Sequence, residues 1–352
     1  LQIYLIYIIT FLMKKKIALI TGISGQDGAY LAHFLLKKNY KVIGTDRRSA
    51  RMSSWRLERL GVKNKIIFEE MELGEIFEIE RIFNKYNFNE VYNLAAQSFV
   101  GSSFSSPLNT SNVTALGVLR LLETIRNRNP KIKFYQASSS EMFGKVFEKT
   151  QTEKTPFNPQ SPYAISKLFG HHISLNYRNS YDMFTVSGIL FNHESPLRGE
   201  DFVTRKVVKG LIKILYNDLN CLEVGNLYAK RDWGYAKEYV EAMWKMMQQK
   251  KPEDFIICTG KTHSIKDFIN KCVKYLKMDT KWIGKGLNAK LINLKTNKII
   301  IKVNPKYFRP SEVNYLRGDY KKAKKILNWK PKTTFNELVK LMVSEELKYY
   351  KS

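Results

Sequence analysis

Cysteine is scarce in this chain: three residues in 352, at Cys221, Cys258 and Cys272. Their spacing fits neither a disulfide framework nor a metal cluster. That excludes disulfide-built secreted scaffolds and zinc modules, and predicts inert thiols, no metal and a reducing, cytoplasmic setting. Proline is sparse too, ten in all, while 44% of the chain is hydrophobic and 26% charged. A disordered chain is excluded by those proportions. Length allows one large α/β domain, or a main domain with a smaller partner. The N-terminal apolar run "LQIYLIYIITFL" stops after twelve residues, short of the roughly twenty that a membrane-spanning helix needs. A signal peptide carries its positive charges ahead of its apolar run, whereas "MKKK" follows this one. Residues 1–12 therefore read as a non-native or disordered extension before Met13, with a peripheral anchor as the alternative.

Acidic residues are the other shortage, 32 against 59 basic, for a formal charge of +27. Such an excess draws nucleic acids and anionic membranes. Yet the lysines are spread through nearly every segment, and the clusters "KKK" from Lys14 and "KKAKK" from Lys321 read as solvated faces. No zinc-finger spacing or RNA-binding signature accompanies them. The expectation is attraction for an anionic small molecule, with no nucleic-acid or membrane partner.

What is present is an alternation. "KIALITG" reads as a buried strand and "DGAYLAHFLLKKN" as a helix ending at Asn39. "KVIGTD" and "IIFEE" are strands, "EIFEIERIFNKY" a helix, and "EVYNLAA" and "KFYQASSS" strands separated by the helical "NVTALGVLRLLETIRNR". A helix over "SPYAISKLFGHHISLNYRNSY" leads into the strand "FTVSGIL". Strands joined by crossover helices predict an α/β fold, a Rossmann-like doubly wound parallel sheet, with ligands at the carboxyl ends of the strands. After Leu190 the rhythm breaks, predicting a smaller mixed α/β lobe. The expected organisation is a dinucleotide-binding domain over 13–190, rejoined by segments near 225–260, with 191–352 mainly a substrate-binding lobe. No internal repeat or low-complexity linker appears.

Three glycines follow the first strand at intervals of three, Gly22, Gly25 and Gly28. Placed between a strand and a helix, they predict a turn that lets the backbone approach a diphosphate, with the helix N-terminus offering free N–H groups; glycines that only close a turn are the alternative. At the end of the next strand, "GTDRRSA" offers both Asp46, suited to the ribose hydroxyls of NAD, and Arg47 and Arg48, suited to the 2′-phosphate of NADP. The arginine pair favours NADP. Further on, Tyr163 and Lys167 share one helix face at a spacing of four. A nearby ammonium favours the phenolate and is expected to lower the tyrosine pKa toward general-base range. Ser139, in "ASSSE", is placed to hydrogen-bond a substrate oxygen beside Tyr163.

These features resemble the extended nucleotide-sugar branch of the short-chain dehydrogenase/reductase superfamily. Together, "TGISGQDGAYLA", "VYNLAAQSFV", "YQASSSEMFG", "SPYAISK", "GILFNHESPLRGEDFVTRKV", "AKRDWGYAKEYVEAMW", "TGKTHSI" and "YFRPSEVNYLRGD" resemble the GDP-mannose 4,6-dehydratase family from about Lys16 to Val343. The resemblance implies conversion of GDP-mannose to GDP-4-dehydro-6-deoxy-mannose and water with bound NADP, the first step toward GDP-deoxyhexoses such as GDP-fucose. It implies Tyr163, Lys167 and Ser139 at C4 and Glu141 as the group that removes the C5 proton. Implied cofactor contacts are Gly22, Ser24, Gly25, Gln26, Asp27, Gly28, Arg47, Arg48, Glu72, Leu73, Leu94, Ala95, Ala96, Gln97, Ser98, Tyr163, Lys167, His193 and Arg198. His193 equally fits a structural loop histidine. Implied substrate contacts are Asn192, Lys206, Arg231, Arg309 and Glu312, cationic clamps suiting a diphosphate; each charge also fits a plain surface role. A homodimer or homotetramer is implied, through "NVTALGVLRLLETIRNR" and the Tyr163 helix. Departures from the family pattern are Glu72 for aspartate, Asn109 for tyrosine, Ser139 for threonine, and Asp46 beside the arginines. A GDP-manno-heptose dehydratase, an epimerase or reductase of the same fold, and a basic binding protein are the competing readings.

Overall fold

A computed structural model describes residues 15–48, 54–308 and 311–351. The expected extension 1–12 and Arg309 lie outside the described residues. The strands of three or more residues, in chain order, are β1 (Ile17–Thr21), β2 (Lys41–Asp46), β3 (Ile67–Glu70), β4 (Glu90–Asn93), β5 (Lys133–Ser139), β6 (Thr185–Leu190), β7 (Leu222–Val224), β8 (Phe255–Ile257), β9 (Thr280–Ile283), β10 (Lys290–Asn293) and β11 (Lys298–Val303). The longer helices are α1 (Gln26–Lys37), α2 (Ile76–Lys85), α3 (Gly117–Arg128), α4 (Pro162–Tyr181), α5 (Val203–Leu215), α6 (Ala236–Met247), α7 (Ile265–Tyr275), α8 (Lys321–Leu327) and α9 (Phe335–Lys351).

Among the described residues, seven strands form one sheet in the order β8-β6-β5-β4-β1-β2-β3, every pair parallel. The order reverses at β1, placing β1 and β4 either side of a crevice at their carboxyl ends. Burial explains the strand composition, since helices cover both faces. In β1, Ala18 and Ile20 face the core beneath α1 and α6, while Leu19 faces the core beneath α2 and α3. Both cores are fully closed there: all three side chains have no exposure.

Helix boundaries follow local chemistry. Pro162 opens α4, and the Ser161 hydroxyl accepts from the Ala164 N–H at 3.1 Å, a side-chain cap that fixes where the first turn starts. In α7, Ser264 and Asp267 form a reciprocal capping box. The segment expected as one helix over 112–128 instead begins with a wider π-turn, Asn112–Leu116, before α3. There the Thr114 hydroxyl accepts from the Gln97 N–H at 3.1 Å, and a Cβ on Gly117 would meet Leu73 Cβ at 2.9 Å. The turn is widened where it packs against the site.

The second lobe gathers α5, α7 and α9 around a sheet of order β9-β10-β11-β7. Two later segments return to the first core. β8 adds the edge strand beside β6, and Ala323, Leu327 and Trp329 pack with α1 and α6. Among the described residues no helix is long and apolar enough to cross a membrane.

Candidate active site

The glycine turn is shaped by its neighbours. Gly22 has φ +70°, and a Cβ there would meet the Ala95 backbone at 3.0 Å. A Cβ on Gly28 would lie 2.3 Å from the Gly22 carbonyl oxygen, so only glycine lets α1 approach β1 this closely. Gly25, by contrast, meets only the Gly22 oxygen at 3.1 Å and lines the cleft. It is the N-cap of α1 and supplies no side-chain acceptor, so the first-turn amides face outward, ready for an anion.

Two cavities open from this turn. The larger, about 840 Å³, runs along the strand ends toward the second lobe. The smaller, about 270 Å³, lies between the ends of β1, β2 and β4. The expected cofactor residues divide between them. Ser24, Arg47, Glu72, Leu73, Ala95 and Gln97 line the smaller; Gln26, Asp27, Gly28, Tyr163, Lys167, His193 and Arg198 line the larger; Gly22, Gly25, Leu94, Ala96 and Ser98 line both. Arg48 is exposed and lines neither. Asn109, the tyrosine departure, does line the smaller cavity.

Ser139, Glu141, Tyr163 and Lys167 come together in the larger cleft, all nine-tenths or more buried. β5 ends at Ser139, and Glu141 follows in a short 3₁₀ turn rather than on the strand itself; the Ser139 hydroxyl accepts from the Glu141 N–H at 3.2 Å. Burial pushes the Tyr163 phenol up to about 12, a hydrogen bond with Ser139 pulls it down, and the Glu141 carboxylate raises it. The expected lowering by Lys167 is thus reversed, chiefly by burial of the phenol, and the lysine does not offset it because it bonds elsewhere. The ammonium donates to the Ala137 carbonyl at 2.7 Å and stands 5.9 Å from the tyrosine ring centre. Burial lowers Lys167 itself to about 8, with Asp27 opposing.

His193 ties the turn to the loop that follows β6. Its Nε2 meets Asp27 Oδ2 at 2.7 Å and its Nδ1 meets the Phe191 carbonyl at 2.7 Å. A carbonyl and a carboxylate both accept, so the two ring nitrogens and Asp27 share two protons. Burial would lower His193, but Asp27 outweighs it and the pKa is raised; burial would raise Asp27, but His193 outweighs it and the pKa is lowered. The imidazole also stacks on Tyr239 at 4.7 Å. Gln26 bridges Asp27 and the His193 carbonyl, both at 3.1 Å, and accepts from the Ser195 hydroxyl at 2.7 Å. This loop-pinning geometry agrees with the structural alternative for His193, while its place in the cleft keeps the cofactor alternative.

The far wall carries the expected substrate residues. Arg231 Nε lies 3.9 Å from Glu141 Oε1, and its Nη2 lies 3.7 Å from Glu312 Oε1. Lys206 Nζ sits 3.7 Å above the Tyr307 ring. Asn192 Oδ1 is buried in the cleft wall without a hydrogen-bond partner among the described residues. That leaves an acceptor for a ligand donor. Arg198 pairs with Glu194 at 3.2 Å and covers the Phe202 ring. Sequence reasoning missed Asp232, which is fully buried next to Arg231 and accepts from the Thr259 and Gly260 N–H groups at 2.8 Å; burial pushes it up to about 6 against those bonds. It also missed Arg56, which donates to the carbonyls of Leu197 at 2.6 Å and Ser24 at 3.1 Å. Among the described residues no cluster of His, Cys, Asp or Glu is arranged to hold a metal.

A family model described as GDP-mannose 4,6 dehydratase matches residues 19–342. The chain belongs to the GDP-mannose 4,6-dehydratase family. Curated members are similar along almost their whole length: the Drosophila melanogaster protein is 46% identical over 95% of this chain and 87% of its own. The human protein is 46% identical over 95% and 92%, and the Vibrio cholerae protein 45% over 97% and 96%. Solved structures of nucleotide-sugar enzymes share the fold at lower identity. A UDP-glucose 4-epimerase from Thermotoga maritima superposes with TM-score 0.80 at 23% identity, covering 95% of this chain and 99% of its own. A dTDP-glucose 4,6-dehydratase from Streptomyces venezuelae gives 0.81 at 17%, covering 95% and 98%.

Proposed function

We propose that this chain converts GDP-α-D-mannose to GDP-4-dehydro-6-deoxy-α-D-mannose and water, with NADP as resident cofactor. One observation carries the reading: a phenol, a carboxylate and a guanidinium meet in one cleft that starts at a glycine turn, inside a chain of this family. The turn fits a dinucleotide diphosphate, since Gly25 is open toward the cleft and the first amides of α1 lack a side-chain acceptor. Arg47, exposed at the smaller cavity, suits the 2′-phosphate of NADP.

When bound, the cofactor accepts a hydride from C4 of the hexose and returns one to C6. The chain's residues do the rest. Tyr163 takes the proton of the 4-hydroxyl as its phenolate, oriented by Ser139; burial makes that form costly, and the Lys167 ammonium on the Ala137 carbonyl is the positive charge nearby that favours it. The C4 ketone acidifies the adjacent C5–H bond. Glu141 takes that proton and delivers one to the C6 hydroxyl, which leaves as water. The proton held on Tyr163 is then available to C5, which closes the balance. Arg231, Lys206 and Asn192 hold the nucleotide sugar, and Glu312 orients Arg231.

Three free thiols, two of them buried, suit a cytoplasmic enzyme. Ile165 and Phe169, 57% and 38% exposed on α4, suit a second copy in a homodimer or homotetramer. The reaction is tested by incubating the full chain separately with GDP-mannose and GDP-manno-heptose and weighing the products. Loss of one water from GDP-mannose supports the reading. Loss from the heptose alone reassigns the substrate, and no loss from either rejects dehydration.

A further inference from the structure

Asp46 stands at the carboxyl end of β2, where an acidic side chain ordinarily reads the ribose hydroxyls of a dinucleotide. Here its Oδ2 accepts from the Ser24 N–H at 2.9 Å. On the other side of that residue, Arg56 Nη1 donates to the Ser24 carbonyl at 3.1 Å. Ser24 lies mid-turn between Gly22 and Gly25. Its N–H is thus held by an anion and its C=O by a cation, an arrangement of charge-assisted bonds stronger than neutral ones.

We propose that Asp46 and Arg56 are a paired brace for the diphosphate turn, and that Asp46 takes no part in choosing between NAD and NADP. This rests on the nicotinamide reading above. Arg56 is a positioning residue on the same terms. Its Nε donates to the Leu197 carbonyl at 2.6 Å, so one guanidinium joins the turn to the loop that carries His193 and Arg198. The position is electrostatically costly: burial, with Arg205 and Arg198 adding to it, lowers Arg56 to about 10, and Asp46 is the first opposing charge. A guanidinium kept beside two others is held there by what it bonds. Of the charged side chains lining the smaller cavity among the described residues, Asp46 is engaged by the turn, which leaves Arg47 and Glu72 to meet the adenosine end. Selectivity for the 2′-phosphate then falls to Arg47.

The test measures Kd for NADP⁺ and NAD⁺ by titration calorimetry on the full chain, as wild type, Asp46→Asn, Asp46→Ala, Arg56→Gln and Arg47→Gln. A brace predicts that both affinities fall together, about tenfold in Asp46→Ala and Arg56→Gln. It predicts a smaller fall in Asp46→Asn, whose amide oxygen still accepts from Ser24. The NADP⁺/NAD⁺ ratio should stay within about threefold in all three, while Arg47→Gln lowers that ratio by about tenfold or more. A ratio moving further than threefold toward NADP⁺ in either Asp46 variant makes Asp46 a ribose reader and overturns the proposal. An unchanged ratio in Arg47→Gln overturns the selectivity half. A wild-type chain that binds neither dinucleotide rejects the nicotinamide reading itself.

Discussion

The guanidinium of Arg231 stands between two carboxylates, 3.9 Å from Glu141 and 3.7 Å from Glu312, and neither Arg231 nor Glu141 is more than a tenth exposed. It sets a positive charge beside the group assigned to C5. Glu141→Gln keeps the shape and removes the base. Turnover of GDP-mannose should fall by about 10²- to 10⁴-fold, with GDP-mannose affinity changed by much less. A variant that retains full dehydration moves the base to another residue.

Tyr163→Phe deletes the hydroxyl assigned to the 4-hydroxyl proton, and near-complete loss of turnover is expected. A non-enzymatic binding protein would be indifferent to that change and would instead show salt-sensitive affinity for nucleic acid.

Lys167 gives a pH signature. Burial places it near 8, so its ammonium is lost through that pH. We expect kcat/KM to decline above about pH 8 in the wild type. Lys167→Arg, whose guanidinium stays charged, should be slower yet lack that decline. A decline unchanged in the variant assigns it to another group.

The Asp27–His193 link predicts a stability profile. His193 is raised above its ordinary 6.5, so its contribution is full below that value and is lost as pH rises through the raised one; Asp27 is lowered below 3.8, so its contribution is full above that value and is lost as pH falls through the lowered one. In thermal melts, the wild-type advantage over His193→Gln should be greatest near pH 5 to 6 and shrink toward pH 9. An advantage independent of pH removes the charged pairing from the account.

Gly28→Ala sets a Cβ 2.3 Å from the Gly22 carbonyl oxygen and 2.7 Å from Ile23 Cα, both backbone atoms. Overpacking of this kind costs about 1–3 kcal/mol. A melting temperature within a degree of wild type shows that the turn can shift to make room.

The sheet was legible because each of its first six strands carries at least two adjacent apolar residues, and because the helices between them carry period-3.6 faces. Tyr163 and Lys167 were legible from their spacing taken together with the glycine turn and "ASSSE", and Glu141 only through the family resemblance. Arg56 was not, since its partners are backbone carbonyls 32 and 141 residues away and no motif marks them. The tyrosine pKa was misjudged for a similar reason. Spacing puts a lysine on the right face, but whether its ammonium turns to the phenol or to the Ala137 carbonyl depends on a strand that the helix meets only after folding. Asp46 posed a choice between two ligands in sequence, and the three-dimensional turn supplies a third partner in Ser24.

The edge strand β8 has a consequence for how the chain is made. Synthesis through Leu190 completes six strands but leaves β6 with its outer hydrogen-bonding groups unmatched, and Phe255–Ile257 arrives only after the polypeptide has passed through part of the other lobe. Trp329 seals the same side later still. The nucleotide half cannot finish before most of its neighbour has left the ribosome, so a nascent chain stalled near residue 190 presents a sticky β edge. Chaperone occupancy along the message should peak between that point and the emergence of Trp329.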